Sequence, residues 1–176
     1  IGPIGVTGSE SANHIAQNAD VILAVGTRLQ DFTTGSWTAF ALDAKFICLN
    51  AGRHDAGKHL AFSIVGDAKL SLEKLSKNLN YVAPKSWVQL ARDERIKWDK
   101  YVAENVSAGN QPNSYAQAIG VVNENCDKRD RIVAAAGGLP AEVTANWKTL
   151  DISTVEVEFG FSCMGYEISG AWGAKI

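Results

Sequence analysis

Three short stretches carry the residue types that can hold a ligand: GTRL at 26–29, AGGLP at 136–140 and GFSCMG at 160–165. Each follows an apolar run, and in a parallel α/β sheet the ligand crevice lies beyond the carboxyl ends of the strands. In the first, Gly26 and Thr27 leave room for a phosphate and Arg28 can pair with one; Arg28 reads equally as a surface partner of Asp31. In the second, Gly137 and Gly138 permit close approach, and Pro140 opens a helix whose first amides can face an anion. The third joins exposed backbone to Met164, a large flexible apolar side chain that also fits plain core packing. No G-x-G-x-x-G or G-x-x-x-x-G-K-[ST] occurs. No Ser-His-Asp or Cys-His set is defensible: Cys163 has no histidine near it in sequence and reads as a small buried hydrophobe. His54 and His59 are five apart, the wrong spacing for two zinc ligands on one helix face, so both are expected at the surface.

The elements that must position these stretches follow from periodicity. SESANHIAQNA (9–19) places Ala12, Ile15, Ala16 and Ala19 at helical spacing behind Ser9, a candidate cap. DVILAVG (20–26) is the continuous apolar run of a strand buried on both faces. KFICLN (45–50) and FSIVGD (62–67) repeat it, and DAKLSLEKLSKNL returns to a helix with Leu72, Leu75 and Leu79 on one stripe. A charged, Trp-bearing segment then predicts a connecting helix from Ser86 to about Val106, capped by Ser86, packing its aromatics on the first domain, and a linker to about 110. A second α/β run follows: helix 114–125, strand 131–137, a Gly-Gly-Leu-Pro turn, helix 141–148, strand 153–159 and a helix from about Met164. The fold class is α/β, a doubly wound parallel sheet over residues 1–80 and an incomplete second α/β domain over 111–176.

The chain has 176 residues, 46% of them hydrophobic, and a formal charge of −2. Dispersed Lys and Arg argue against a nucleic-acid or lipid-headgroup surface. Three widely spaced cysteines, Cys48, Cys126 and Cys163, fit a reducing cytoplasm better than a disulfide framework. There is no apolar run long enough to span a membrane and no signal-like segment at the start. The sequence stops on Gly-Ala-Lys-Ile within a helical pattern and has no Met before Ile1, so an internal piece of a longer protein is expected.

Taken whole, NADVILAVGTRLQDFTTGSW, VGDAKLSLEKL, SYAQAIGVVNENCDKRDRIVAAAGGLPAEVTANW and EFGFSCMGYEISGAWGAK resemble the thiamine-diphosphate enzymes of the acetolactate synthase and pyruvate decarboxylase superfamily. LQDFTTGSW, HDAGKH, AAAGGLPAE and EFGFSCMGYEI resemble the branch that hydrolyses a cyclic polyol dione in inositol catabolism. The resemblance implies most of a central nucleotide-fold domain, then a connecting helix and linker (81–110), then the opening of a diphosphate-binding domain. It implies thiamine diphosphate as cofactor, with Gly137, Gly138 and Leu139 at the turn that meets the diphosphate through backbone amides, where many relatives use Gly-Gln-His. It implies Ser162, Cys163 and Met164 against the rings, with the Ser162 carbonyl accepting from the 4′-amino group and Met164 as the wedge that bends the cofactor. Trp172 stands where the family leads one to expect a smaller aliphatic residue. The Mg²⁺ ligands and the activating glutamate are implied outside this chain, which alone is expected inactive, and the parent is expected to be at least a homodimer. Two other readings stay open: another lyase or decarboxylase of the superfamily, and a nucleotide-binding module using Gly26 to Arg28.

Overall fold

A computed structural model of the chain describes residues 1–107, 111–158 and 160–176. It divides into two compact units, Ile1–Ile96 and Lys97–Ile176. The expected linker end at 108–110 and the strand end at Phe159 lie outside the described residues.

In the first unit, helix α1 (Glu10–Gln17) begins where Ser9 Oγ accepts the Ala12 amide, as the sequence predicts. Strands β1 (Val21–Val25), β2 (Lys45–Asn50) and β3 (Phe62–Val65) form a parallel sheet in the order β1-β2-β3. Period-two alternation puts Ile22 and Ala24 beside Phe46 and Cys48 on one face. That face packs on Leu29, Trp37, Ala39 and Phe40, with Trp37, Phe40 and Phe46 in mutual ring contact. The expectation that β1 is buried on both faces is corrected: Val21, Leu23 and Val25 are exposed. Helix α3 (Arg53–Ala56) packs on β2 and β3, and α4 (Ala68–Asn78) on β2, so both lean away from β1. The leucine stripe of α4 is likewise exposed. A further short helix, α2 (Asp31–Thr34), has Thr34 wholly buried, its hydroxyl donating to the Gln30 carbonyl and accepting from the Trp37 amide.

Helix α5 (Lys85–Val106) starts one residue earlier than predicted, so Ser86 lies inside it and is not its cap. The second unit continues with α6 (Tyr115–Glu124), capped by Ser114, whose hydroxyl accepts the Gln117 amide. Buried Gly120 lets α6 approach Val106 at the end of α5, where a Cβ would meet the Val106 carbonyl oxygen at 2.5 Å. Then come β4 (Ile132–Ala134), α7 (Gly138–Asn146), β5 (Val155–Val157) and α8 (Tyr166–Lys175), with β4 and β5 paired in parallel. The fold is mixed α/β with parallel sheets in both units. Its core in this second unit is small: among the described residues Ile119, Ala134, Ala135, Pro140 and Val143 are its buried apolar side chains.

Candidate functional site

In the first unit, Gly26 closes β1 with its amide on the Leu49 carbonyl, and Asn50 donates to the Thr27 carbonyl at 3.0 Å. Arg28 does not reach the expected Asp31; its guanidinium donates to Gln30 at 3.4 Å. Lys58 bridges the Arg28 carbonyl (3.1 Å) and the Asp55 carboxylate (2.7 Å), and that lysine hydrogen bond holds the Asp55 carboxyl below its ordinary range. The turn is thus knit by local polar contacts. His54 and His59 do not converge: His59 stacks on Trp37 at a ring-centroid distance of 3.5 Å.

The second unit gathers the other predicted residues around the ends of β4 and β5. The β4 ladder stops at Ala134, three residues before the predicted end, and the chain turns at Gly137, whose φ of 98° disfavours any side chain. Helix α7 then begins at Gly138, not at Ala141: a proline is tolerated in a first helical turn, so Pro140 sits inside the helix and Gly138 and Leu139 supply its leading amides. No side chain caps that end. Nothing lies within 4 Å of where a Cβ would stand on Gly137 or Gly138. Leu139 is half exposed beside them.

After β5, Glu158 folds back under the loop that follows. Its carboxylate accepts the Phe161 amide at 2.7 Å and the Cys163 amide at 3.0 Å. Those backbone bonds, the Cys163 bond foremost, hold the Glu158 carboxyl below the usual carboxylate range. Ser162 is in the left-handed region, φ 54°. Cys163 is exposed, which corrects the expectation of a buried thiol: its backbone is tethered and its side chain is not. Met164 is 87% exposed, so the core-packing alternative for it is set aside. At the start of α8, Glu167 accepts the Gly165 amide at 2.9 Å. Its own amide, then those of Gly165, Ala136 and Ala135, hold its carboxyl low. Helix α8 sits on β4 through Gly170, where a Cβ would stand 3.1 Å from Val133.

This arrangement fits a cofactor with an anionic end and an apolar ring system. Open space and uncapped amides at Gly137–Leu139 suit a phosphate, and the exposed Met164 offers an apolar contact. Glu158 and Glu167 were not singled out in the sequence; the only signal was a carboxylate on each flank of a glycine-bearing loop. Among the described residues there is no cluster of three His, Cys, Asp or Glu side chains that could hold a metal ion, and no helix long and apolar enough to cross a membrane. All three cysteines are free, with Cys48 buried and its thiol pushed up by burial.

Residues 1–75 match the family described as thiamine pyrophosphate enzyme, central domain. The whole chain is similar to proteins named 3D-(3,5/4)-trihydroxycyclohexane-1,2-dione hydrolase. With the protein of Clostridium botulinum (strain Alaska E43 / Type E3) it is 33% identical over 204 residues, covering 100% of this chain and 31% of the relative. With that of Clostridium perfringens (strain 13 / Type A) the identity is 35% over 206 residues, covering 100% and 32%. With that of Geobacillus thermodenitrificans (strain NG80-2) it is 36% over 199 residues, covering 100% and 31%. The chain therefore spans 31–32% of the length of these relatives.

Proposed function

We propose that the chain, whose residues 1–75 match the thiamine pyrophosphate enzyme central domain, is part of a thiamine-diphosphate hydrolase that opens a cyclic 1,2-dione, trihydroxycyclohexane-1,2-dione, to an open-chain deoxyuronate in inositol catabolism. Residues 111–176 are then the start of the diphosphate-binding domain. Gly137, Gly138 and Leu139 receive the diphosphate on backbone amides, and Ser162, Cys163 and Met164 line the ring end. Mg²⁺ is held by residues elsewhere in the parent protein, which works in the cytoplasm as at least a dimer. The cofactor, when bound, supplies the electron sink for breaking the bond between two carbonyl carbons. This chain's own part would be to bind and orient: the Gly137–Leu139 amides would donate hydrogen bonds to the phosphate, and the Met164 thioether would give the rings an apolar contact.

The observation that carries the reading is Met164, a large apolar side chain left in solvent at the tip of a loop whose backbone is held by two carboxylates. A loop braced in that way serves something other than the chain's own core. The test is Met164→Ala in the full-length protein. The expected result is an unchanged melting temperature with turnover of the dione down about 10²-fold, the scale of a reacting group misplaced by about 1 Å. Full activity in that variant overturns the reading. Residues 1–176 alone are expected to show no turnover with thiamine diphosphate and Mg²⁺.

A further inference from the structure

The loop's hydrogen bonds say which way its carbonyls point. A peptide unit is planar and trans, so its N–H and C=O are directed oppositely, and the chain has no cis peptide bond among the described residues. The Cys163 amide and the Ser162 carbonyl belong to one such unit. Because Glu158 takes the Cys163 N–H at 3.0 Å, the Ser162 oxygen is turned away from Glu158. The Phe161 N–H, held at 2.7 Å, fixes the Gly160 carbonyl in the same manner. Between them Ser162 keeps a left-handed φ of 54°, a conformation that a non-glycine residue adopts only when its surroundings impose it.

We propose that Glu158 is a positioning residue: its carboxylate, by holding the amides of Phe161 and Cys163, aims the Ser162 carbonyl at the amino group of a bound aminopyrimidine. The assignment rests on the cofactor reading above. A carboxylate on the N–H side also polarises the peptide and makes its carbonyl a better acceptor, as in any hydrogen-bonded chain. Glu158 thus acts twice on one oxygen, on its direction and on its acceptor strength, without touching the cofactor.

The test compares binding of two probes to the full-length protein in the presence of Mg²⁺: thiamine diphosphate, and its analogue with hydrogen in place of the 4′-amino group. Wild type is expected to prefer the parent compound roughly tenfold, the value of one well-made hydrogen bond. Glu158→Ala is expected to bring that preference to within about twofold, the scale at which uncoupled effects add. Glu158→Gln, which keeps one acceptor oxygen, is expected to recover part of it. A purely structural role would weaken both probes alike and leave the preference intact, and that result in Glu158→Ala overturns the proposal. Should Glu158→Ala not fold, the Gln variant decides on the same measure, a wild-type preference counting against. Equal wild-type affinity for the two probes overturns the proposal while the cofactor reading survives; no wild-type affinity for either removes both.

Discussion

The two units differ in how they hold their largest apolar side chains. In Ile1–Ile96 the rings of Trp37, Phe40 and Phe46 are wholly or partly covered and touch one another on one face of the sheet, and Leu49, on the alternate face, is buried. In Lys97–Ile176, α8 has no buried residue, and Phe161, Met164, Ile168, Trp172 and Ile176 all stand in solvent. The first unit packs its aromatic cluster on one face of the sheet, although the other face of β1 and the α4 leucines stay exposed. The second holds a loop in shape with carboxylate-to-amide bonds and leaves its apolar residues available. Exposure of a single Leu is ordinary, but a run of them beside a braced loop marks surface intended for contact.

The sharpest way to break that contrast is a pair of truncations. Leu49→Ala, in the covered sheet, is expected to cost about 2–5 kcal/mol of stability, whereas Trp172→Ala should change it by less than about 0.5 kcal/mol; chemical denaturation of the chain reads both. If Trp172→Ala costs as much as Leu49→Ala, the contrast fails. Next in size is Gly120→Ala, expected to destabilise by about 1–3 kcal/mol because the new methyl meets the Val106 carbonyl. Ser114→Ala removes the α6 cap and is expected to cost about 1 kcal/mol in the same assay. The smallest effect is a local response to acid. Glu158 and Glu167 both have lowered carboxyl ranges, so their bracing is fully present above the ordinary carboxylate value and fades as pH falls below it, through the lowered ones. Protection of the Phe161, Cys163 and Gly165 amides against hydrogen exchange, corrected for intrinsic rates, should drop over that interval while the β1–β2 amides hold theirs.

Much of the scaffold was legible because strands announce themselves by composition. VILAV, KFICLN and FSIV each became a strand of the parallel sheet, and Ser9 became a cap, since a short hydroxyl side chain before an apolar period has one good use; Ser114, read as the first residue of its helix, proved to be its cap. Helices α2 and α3 were not legible, as four residues are too few to show a period. The sequence misplaces the start of α7 because Pro140 stands within the first turn and not before it, and Ser86 is no cap because α5 begins before it. The three glycine turns were found from the ends of apolar runs. What sequence did not reveal is that Glu158 and Glu167 fold back onto backbone amides: a carboxylate has the same letter whether it faces water or a row of N–H groups.

Trp172 gives the molecule a built-in optical reporter. Of the five tryptophans, Trp37, Trp87, Trp98 and Trp147 are partly covered and Trp172 alone is exposed, at 72%. An indole in water emits at longer wavelength than one in an apolar setting, so the red edge of the fluorescence spectrum belongs to α8. A blue shift there, quenchable by iodide before and not after, would time the moment when another surface closes over this helix.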